Sequence, residues 1–371
     1  MKILLLGFSK MKYMPYASFY LDNIDFNIND VEIVCWDRDM KKEDRSSYNS
    51  KIVFHDFTSV MDNGIERKSK IKHFLAYRKF VNNLINRNKY DFIISLHTLP
   101  GLLLLDKLLT KFKKRYILDY RDSTFEENSV FGFFVRRLAL GAKTVFVSSD
   151  EFRRFLPDKK VMTITSHNIL ADSLKHREDR RQHYIPSSKI RISFWGFIRH
   201  KHHNKLIIDR LANDPRFELH YYGREQETAL LLKAYAKSKS ADNIFFHGEY
   251  QPKDRYAFSC VTDIIHNSYD DANMRLAMGN KYYDGVIFRI PLLCMPGSFM
   301  AKRCIEVGVG FAFDPHDPNY ADKIFDCFNT IDRDKFESNC DNDLANILNE
   351  YNYGTETIRN ILNKKTGVLR N

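Results

Sequence analysis

Three side chains in the first half of the sequence are candidate general bases, because each follows a short apolar run. They are His97, Asp119 and Asp122. Histidine and carboxylate are the usual general bases toward a hydroxyl nucleophile. If the apolar runs are strands of a parallel sheet, the three groups lie at the edge where α/β folds bind ligands. The carboxylates have a structural alternative, because Asp119 and Asp122 can cap the following helix or pair with Arg121.

Histidine and cysteine positions give no metal-ligand pattern. His200, His202 and His203 surround Lys201, but no carboxylate follows at ligand spacing, and a solvated loop explains them better. The cysteines are scattered without a Cys-x-x-Cys pair, so we expect reduced thiols used as small core residues. They are Cys35, Cys260, Cys294, Cys304, Cys327 and Cys340. We therefore assign no metal and no cofactor.

The candidate bases belong to a series of short apolar runs separated by helix-like stretches. Such runs, nearly continuous in Ile, Leu, Val and Phe, are typical of strands covered on both faces in a parallel sheet. The first series comprises 3–6, 31–35, 51–54, 92–96, 115–118, 144–147 and 161–164. These βα units predict a Rossmann-like first domain.

A second series follows a polar, charged stretch near residues 168–188. It comprises 190–195, 217–222, 243–246, 262–265, 291–294 and 310–313. We predict an α/β chain with an N-terminal Rossmann-like domain (1–168), a linker (169–188) and a C-terminal Rossmann-like domain (189–350). The helical pattern near the end predicts a terminal helix (351–371) that packs back on the first domain.

Bulk composition agrees with two folded domains. The 371 residues include 44% hydrophobic and 28% charged residues, a balance typical of globular chains. The formal charge of +11 favours anionic partners such as phosphorylated molecules, acidic lipid or nucleic acid. No run of about 18 apolar residues occurs and the start lacks a signal-like segment, so we expect a cytoplasmic protein.

Several local patterns resemble, in order, the bacterial group-1 GT-B glycosyltransferases. In the first half, 90–97 resembles the family's strand ending in histidine, and 118–122 resembles its Asp-x-Arg-Asp turn. In the second half, 194–201 resembles the strand, glycine and basic loop that open the donor domain. The stretch 280–284 followed by 290–293 resembles the family's Lys-x-x-Glu helix and Pro-Val-Ile strand.

The resemblance implies GT-B architecture, two Rossmann-like domains with a cleft between them, and a nucleotide-sugar donor, with UDP the commonest nucleotide. By analogy, cations stabilise the departing diphosphate without a metal, glycines admit the donor, and Asp284 accepts from ribose hydroxyls. The implied donor residues are Gly196, Arg199, Lys201, Gly223, Asn280, Lys281, Asp284, Gly297 and Ser298. His97, Asp119 and Asp122 would line the acceptor side.

The sequence also departs from the family pattern. Many retaining members carry two glutamates eight positions apart, where this chain has Leu276 and Asp284. Arg289 stands where the family has glycine before the proline strand. Whether the reaction inverts or retains stereochemistry therefore stays open.

The implied acceptor is a glycan or a polyprenyl-linked glycan used for surface polysaccharide. The basic helix-like stretch 67–89 and the aromatic stretch 131–137 would permit peripheral contact with an acidic membrane at its inner face. Two alternatives remain open: a GT-B-like sugar-nucleotide epimerase or hydrolase, and a nucleic-acid-binding protein. The second lacks a binding motif, and we expect no nucleic-acid partner.

Overall fold

The computed structural model describes residues 1–61, 67–123, 125–158, 160–169, 171–251 and 254–363. The chain divides into two compact units. Unit 1 comprises residues 1–167 and 349–371, and unit 2 comprises residues 168–348.

Unit 1 is built on a seven-stranded parallel sheet of order β3-β2-β1-β4-β5-β6-β7. Its strands are β1 (Lys2–Leu6), β2 (Asp30–Asp37), β3 (Val53–Thr58), β4 (Phe92–Ser95), β5 (Tyr116–Tyr120), β6 (Thr144–Val147) and β7 (Thr163–Thr165). Its helices before residue 168 are α1 (Ser18–Leu21), α2 (Arg67–Arg87), α3 (Thr98–Leu103), α4 (Leu105–Leu109) and α5 (Ser129–Gly141). Short 3-10 helices cover Met11–Tyr13, Pro15–Ala17 and Asp150–Phe155.

Unit 2 is built on a six-stranded parallel sheet of order β10-β9-β8-β11-β12-β13. Its strands are β8 (Ile190–Trp195), β9 (Phe217–Tyr222), β10 (Ile244–Gly248), β11 (Ile264–Asn267), β12 (Leu292–Cys294) and β13 (Gly310–Ala312). Its helices are α6 (Ala171–Lys175), α7 (Arg177–His183), α8 (Lys201–Leu211), α9 (Glu227–Ser238), α10 (Arg255–Cys260), α11 (Ala272–Leu276), α12 (Asn280–Phe288), α13 (Phe299–Val307) and α14 (Tyr320–Asn329). The predicted α/β fold class of two Rossmann-like sheets is confirmed.

The last helix, α15 (Arg333–Leu362), contributes side chains to both hydrophobic cores. Phe336 and Leu344 join the unit 2 core beside α12 and α13. Ile358 and Leu362, neither of them exposed, join the unit 1 core with β1 and β2. Residues 349–362 of this helix therefore complete unit 1 from the far end of the chain.

The predicted linker has regular structure. Within 169–188, α6 and α7 form, and both belong to unit 2. The Arg180 guanidinium donates to the carbonyls of Ser259 (3.1 Å) and Thr262 (3.2 Å), and the His176 ring stacks on Tyr256 with centroids 3.8 Å apart. Charged residues here pair with backbone and aromatic groups of unit 2, which a polarity pattern alone does not reveal.

Candidate functional site

Most of the predicted donor residues lie at one edge of the unit 2 sheet. All its strands are parallel, so their carboxyl ends share that edge. Gly196 follows β8, Gly223 follows β9, Asn280 and Lys281 begin α12 after β11, and Gly297 and Ser298 follow β12. The structure thus brings to one edge residues separated by up to about a hundred positions in sequence. Their contact with a donor stays a prediction.

Two of these glycines are required by the backbone. Gly196 has φ +134°, a conformation that other residues rarely adopt. A Cβ on Gly223 would lie 2.2 Å from the Gly196 carbonyl oxygen. The ends of β8 and β9 therefore approach each other backbone to backbone. Lys281 lies beside them, since a Cβ added to Gly196 would be 3.7 Å from Lys281 Nζ.

Lys281 is 9% exposed, and aromatic groups surround its ammonium. Its Nζ lies 4.2 Å from the Phe194 ring centroid and 5.1 Å from that of Tyr269, whose hydroxyl accepts its hydrogen bond. Among the described residues, no carboxylate oxygen lies within ion-pair distance of this Nζ. Since a buried charge ordinarily has an ionic partner, this ammonium is suited to an anionic ligand.

The basic loop after β8 is fixed by hydrogen bonds from a polar side chain of α8. Asn204 Nδ2 donates to the carbonyls of Arg199 (2.7 Å) and His200 (3.2 Å), and His200 takes a left-handed conformation with φ 59° before α8. Arg199 is exposed, with its guanidinium 5.1 Å from the Phe197 ring, and Lys201 is half-buried at the first position of α8. Both predicted cations therefore retain access to solvent at the loop.

On the other side of Lys281, two helix beginnings face the same edge. Asn280 is exposed at the first position of α12. Gly297 has φ +77° and leads into Ser298, whose Oγ accepts from the Ala301 amide at 3.1 Å and so caps α13. The Ser298 side chain serves the helix itself, while backbone amides at such helix starts are suited to phosphate.

Asp284 has a different contact from the predicted one. Its carboxylate is 4% exposed; one oxygen accepts from Trp195 Nε1 at 2.9 Å and the other lies 3.7 Å from the Arg255 guanidinium. Burial raises the pKa of Asp284, which the charge of Arg255 opposes. The nearly buried carboxylate positions Trp195 at the end of β8, and its predicted contact with a ribose stays a prediction.

Of the three histidines expected in a solvated loop, His202 is exposed and His200 half-buried, but His203 is buried in α8. His203 is 3% exposed and its Nε2 lies 2.8 Å from Ser268 Oγ, while burial lowers its pKa to about 4. His266 is also buried, with Nε2 3.2 Å from Asn204 Oδ1. These rings are neutral hydrogen-bonding groups beneath the basic loop. Their role and that of Tyr269 had no signal in the sequence, because no motif marks which of these side chains face inward.

The departure at Arg289 has a structural explanation. Arg289 ends α12 with φ 52° and ψ 51°, the left-handed conformation that glycine adopts most easily. Its Nε donates to Asp341 Oδ1 at 2.8 Å. The chain therefore has the helix end expected of the family, with an arginine that forms an ion pair in place of glycine.

In unit 1, His97 and Asp122 come together at the carboxyl ends of β4 and β5. His97 Nδ1 accepts from the Leu99 amide at 3.2 Å and caps α3, and its Nε2 lies 3.6 Å from Asp122 Oδ2. A neutral ring that accepts at Nδ1 carries its proton on Nε2, facing the carboxylate. At 3.6 Å the contact with Asp122 is an ion-pair distance, longer than a hydrogen bond. Asp122 is 70% exposed and has the accessible oxygen that a base requires.

Asp119 does not fit the predicted role of base. Its side chain has no exposed surface, and Oδ1 lies 2.8 Å from Arg121 Nε. Burial raises the pKa of Asp119, and the Arg121 charge opposes that shift. A carboxylate without an accessible oxygen cannot take a proton from a bound acceptor. The structural alternative, pairing with Arg121, is the arrangement observed.

Groups of three or more metal-ligating side chains are absent from the part of the chain that the structure describes. Within the same residues, no helix has the length and apolarity needed to cross a membrane.

No family model and no curated protein matches this sequence. Solved structures do match. Anabaena HepE in complex with UDP and glucose is 15% identical, with a TM-score of 0.62 over 98% of this chain and 100% of its own. The lipopolysaccharide outer core galactosyltransferase WaaB is 10% identical (TM-score 0.63; 96% and 99% covered). The UDP-GlcNAc 2-epimerase of Neisseria meningitidis bound to UDP-GlcNAc is 12% identical (TM-score 0.60; 98% and 100% covered).

The chain has the GT-B fold. At these identities the likeness extends over nearly the whole of each chain and concerns architecture, not individual side chains. It bears out the fold that the ordered sequence patterns implied.

Proposed function

We propose that this chain is a glycosyltransferase that moves a sugar from a UDP-sugar to a glycan or lipid-linked glycan in surface polysaccharide synthesis. One observation carries the proposal: the Lys281 ammonium is nearly buried, has no carboxylate partner among the residues that the structure describes, and lies beside the backbone-to-backbone glycines. Solved structures of the same fold that hold UDP, glucose or UDP-GlcNAc support this choice of donor. The lipopolysaccharide galactosyltransferase supports the choice of acceptor class.

The chemistry follows from charge. As the bond between the anomeric carbon and the β-phosphate breaks, negative charge grows on the departing diphosphate, and Lys281 stabilises it. Arg199 and Lys201 add positive charge from the loop above α8. In unit 1, Asp122 takes the proton of the acceptor hydroxyl, with the His97 ring beside it at 3.6 Å. These steps need no metal and no cofactor.

The test of the donor site compares two lysines with similar surroundings. Lys205 Nζ lies 4.3 Å from the Tyr235 ring, much as Lys281 Nζ lies 4.2 Å from Phe194, but Lys205 is on the side of α8 that faces α9. In calorimetric titrations with UDP, we expect Lys281→Ala to weaken binding about 10–100-fold, the loss typical of one charged hydrogen bond. Lys205→Ala should bind as the wild type does. Equal affinity in all three proteins would refute the donor site.

A sugar-nucleotide epimerase or hydrolase of the same fold is the alternative. It would use the same donor edge but no acceptor, so the two functions differ in what happens to the donor alone. We expect a UDP-sugar that is incubated with the enzyme but without acceptor to stay intact over a period in which transfer to an acceptor would complete many turnovers. Rapid conversion to an epimer or to free sugar would replace the transferase proposal with the alternative. A footprint on DNA or RNA that weakens with salt would instead favour nucleic-acid binding.

We also propose peripheral contact with an acidic membrane through one face of α5, on the cytoplasmic side. Val130, Phe133 and Phe134 are 64%, 54% and 43% exposed and share that face with Arg137, while Phe125 just before the helix is 54% exposed. Exposed aromatic residues flanked by arginine are typical of helices that lie at a lipid interface. In α2, which contains most of the basic stretch 67–89, Val81 and Ile85 are by contrast buried in the core.

A further inference from the structure

A cavity of about 480 Å³ lies at the carboxyl ends of β1 and β2 in unit 1, away from His97 and Asp122. Its described lining combines charged groups with aromatic rings, among them Lys10, Tyr13, Trp36, Arg38 and Asp39. The volume lies within the range of small-molecule sites, about 300–1,000 Å³. Neither the donor edge nor the candidate base uses these residues.

Buried ionic contacts build the floor of this cavity. Lys10 is 4% exposed; its Nζ lies 2.9 Å from Asp37 Oδ1 and also donates to Asp39 and to the Lys41 carbonyl. Two residues further, the Lys12 amide donates to Glu43 Oε1 at 2.7 Å. The loop after β1 is thereby fixed to the loop after β2. All three donors of the Lys10 ammonium are used within the protein, which leaves none for an anion.

Arg38 retains hydrogen-bonding capacity toward a ligand. One amino group donates to the Phe8 carbonyl at 2.8 Å, and the guanidinium lies 4.5 Å from the Trp36 ring centroid and 5.3 Å from that of Phe8. Its Nε is buried without a hydrogen-bond partner and has no surface that a ligand can reach, whereas the second amino group donates to none of the described residues. That amino group can donate to a ligand oxygen.

The charges of the cavity cancel: Lys10 and Arg38 balance Asp37 and Asp39. Asp39, 37% exposed, offers a carboxylate acceptor, and Tyr13 exposes 58% of its surface as an aromatic wall. A free anion would meet the Asp39 carboxylate as well as the Arg38 guanidinium, and an apolar ligand would desolvate charged groups without replacing their hydrogen bonds. A neutral sugar has both hydroxyls for Arg38 and Asp39 and an apolar ring face for Tyr13.

We propose that this cavity is a carbohydrate subsite that binds a neutral pyranose of the acceptor, distal to the sugar that reacts. This proposal rests on the proposed glycosyltransferase function. Neighbouring strands are about 4.8 Å apart, so along the order β2-β1-β4-β5 the cavity is on the order of 10–15 Å from the His97 and Asp122 strands. An oligosaccharide can occupy both positions, whereas a monosaccharide cannot. The subsite thus gives the enzyme a preference for extended acceptors.

Saturation-transfer NMR on the full chain tests the subsite with methyl glucoside, methyl galactoside, methyl mannoside and methyl N-acetylglucosaminide as probes. We expect at least one of them to bind, and Arg38→Gln to weaken that binding about tenfold, the loss expected for one hydrogen bond. Tyr13→Ala removes an exposed ring without disturbing the buried contacts and should weaken it as well. Arg333→Gln is the matched control, because Arg333 also lies over an aromatic ring, 4.7 Å from Phe328.

Three results would overturn the subsite: none of the four pyranosides binds, Arg38→Gln and Tyr13→Ala both bind as the wild type does, or glucuronate or inorganic phosphate displaces the sugar. A UDP titration of the same samples separates this outcome from failure of the proposed function. Intact UDP binding with no pyranoside binding would refute the subsite alone. If the wild-type chain does not bind UDP, the donor site is refuted instead.

Discussion

The two aspartates near the end of β5 illustrate how burial decides the role of a residue. Asp119 and Asp122 are three positions apart and chemically identical, and the sequence offers both as bases. The structure buries the first against Arg121 and exposes the second beside His97. Exposure therefore separates a carboxylate that stabilises the fold from one that can meet a substrate.

This separation predicts different outcomes for the two asparagine variants. Asp122→Asn should keep UDP affinity and melting temperature but reduce turnover about 10²–10⁴-fold, the usual cost of removing a general base. Asp119→Asn should lower the free energy of unfolding by about 3–5 kcal/mol, because the Arg121 charge stays buried without its partner. Transfer assays, UDP titrations and chemical denaturation of both variants check the assignment. Full turnover by Asp122→Asn would move the base elsewhere.

The sequence predicted the strands well because each is a short apolar run. β6, β8 and β9 begin and end at the predicted residues, and the other strands differ by a few positions. It did not predict the environment of individual polar side chains. Asp284, Asp119 and His203 are buried by contacts with Trp195, Arg121 and Ser268, which come from other elements or from the local turn. Such contacts depend on side-chain direction, which periodicity does not specify at strand and helix ends.

At the scale of elements, α8 has a buried histidine whose protonation opposes folding. Burial lowers the pKa of His203 to about 4, against an ordinary value of 6.5. The folded state therefore binds its proton less readily than the unfolded state. The stability that depends on the neutral ring is complete above pH 6.5 and is lost as the pH falls from 6.5 toward 4.

We predict that His203→Gln reduces the acid sensitivity of unfolding. A shift of this size corresponds to about 3 kcal/mol between pH 7 and pH 4, of which the variant should remove a large part. His202→Gln is the control, because His202 is the adjacent residue on the same helix and is exposed. Urea unfolding at several pH values measures the slopes. The same slope in His203→Gln and in the wild type would contradict the assignment.

The exposed face of α5 leads to a prediction about lipid binding. We expect the double variant Phe133→Ser/Phe134→Ser to lower partitioning onto phosphatidylglycerol vesicles by on the order of tenfold or more, since each phenylalanine loses apolar burial in the interface. Tyr353→Ser removes another exposed aromatic residue, 53% exposed on α15, and should not change partitioning. Vesicle co-sedimentation measures both. Equal partitioning of the two variants would argue against contact through α5.

At the scale of the whole molecule, α15 supplies side chains to the hydrophobic cores of both units. Ile358 and Leu362 are fully buried in unit 1, and the Gly354 backbone lies where a Cβ would be 3.0 Å from Phe19. A chain that ends at Leu348 loses these contacts, and each lost core side chain costs about 2–5 kcal/mol. We predict that unit 1 unfolds in this truncation while unit 2 keeps its fold.

Hydrogen exchange with mass spectrometry checks this prediction, because it reports protection segment by segment. Peptides from β1 and β2 should exchange rapidly in the truncated chain, and peptides from β8 and β9 should stay protected. A chain ending at Asn363 is the control, since it keeps all of α15. Protected β1 and β2 in the shorter chain would show that residues 349–362 are dispensable.

The division of unit 1 between the two ends of the sequence also dictates an order of events on the ribosome. Domains generally fold as they emerge, the N-terminal one first. Here residues 1–167 leave the exit tunnel without the helix that completes their core, whereas residues 168–348 emerge as one continuous stretch. The second half of the polypeptide can therefore finish folding first. The first half stays exposed to chaperones and proteases until residues 349–362 have emerged.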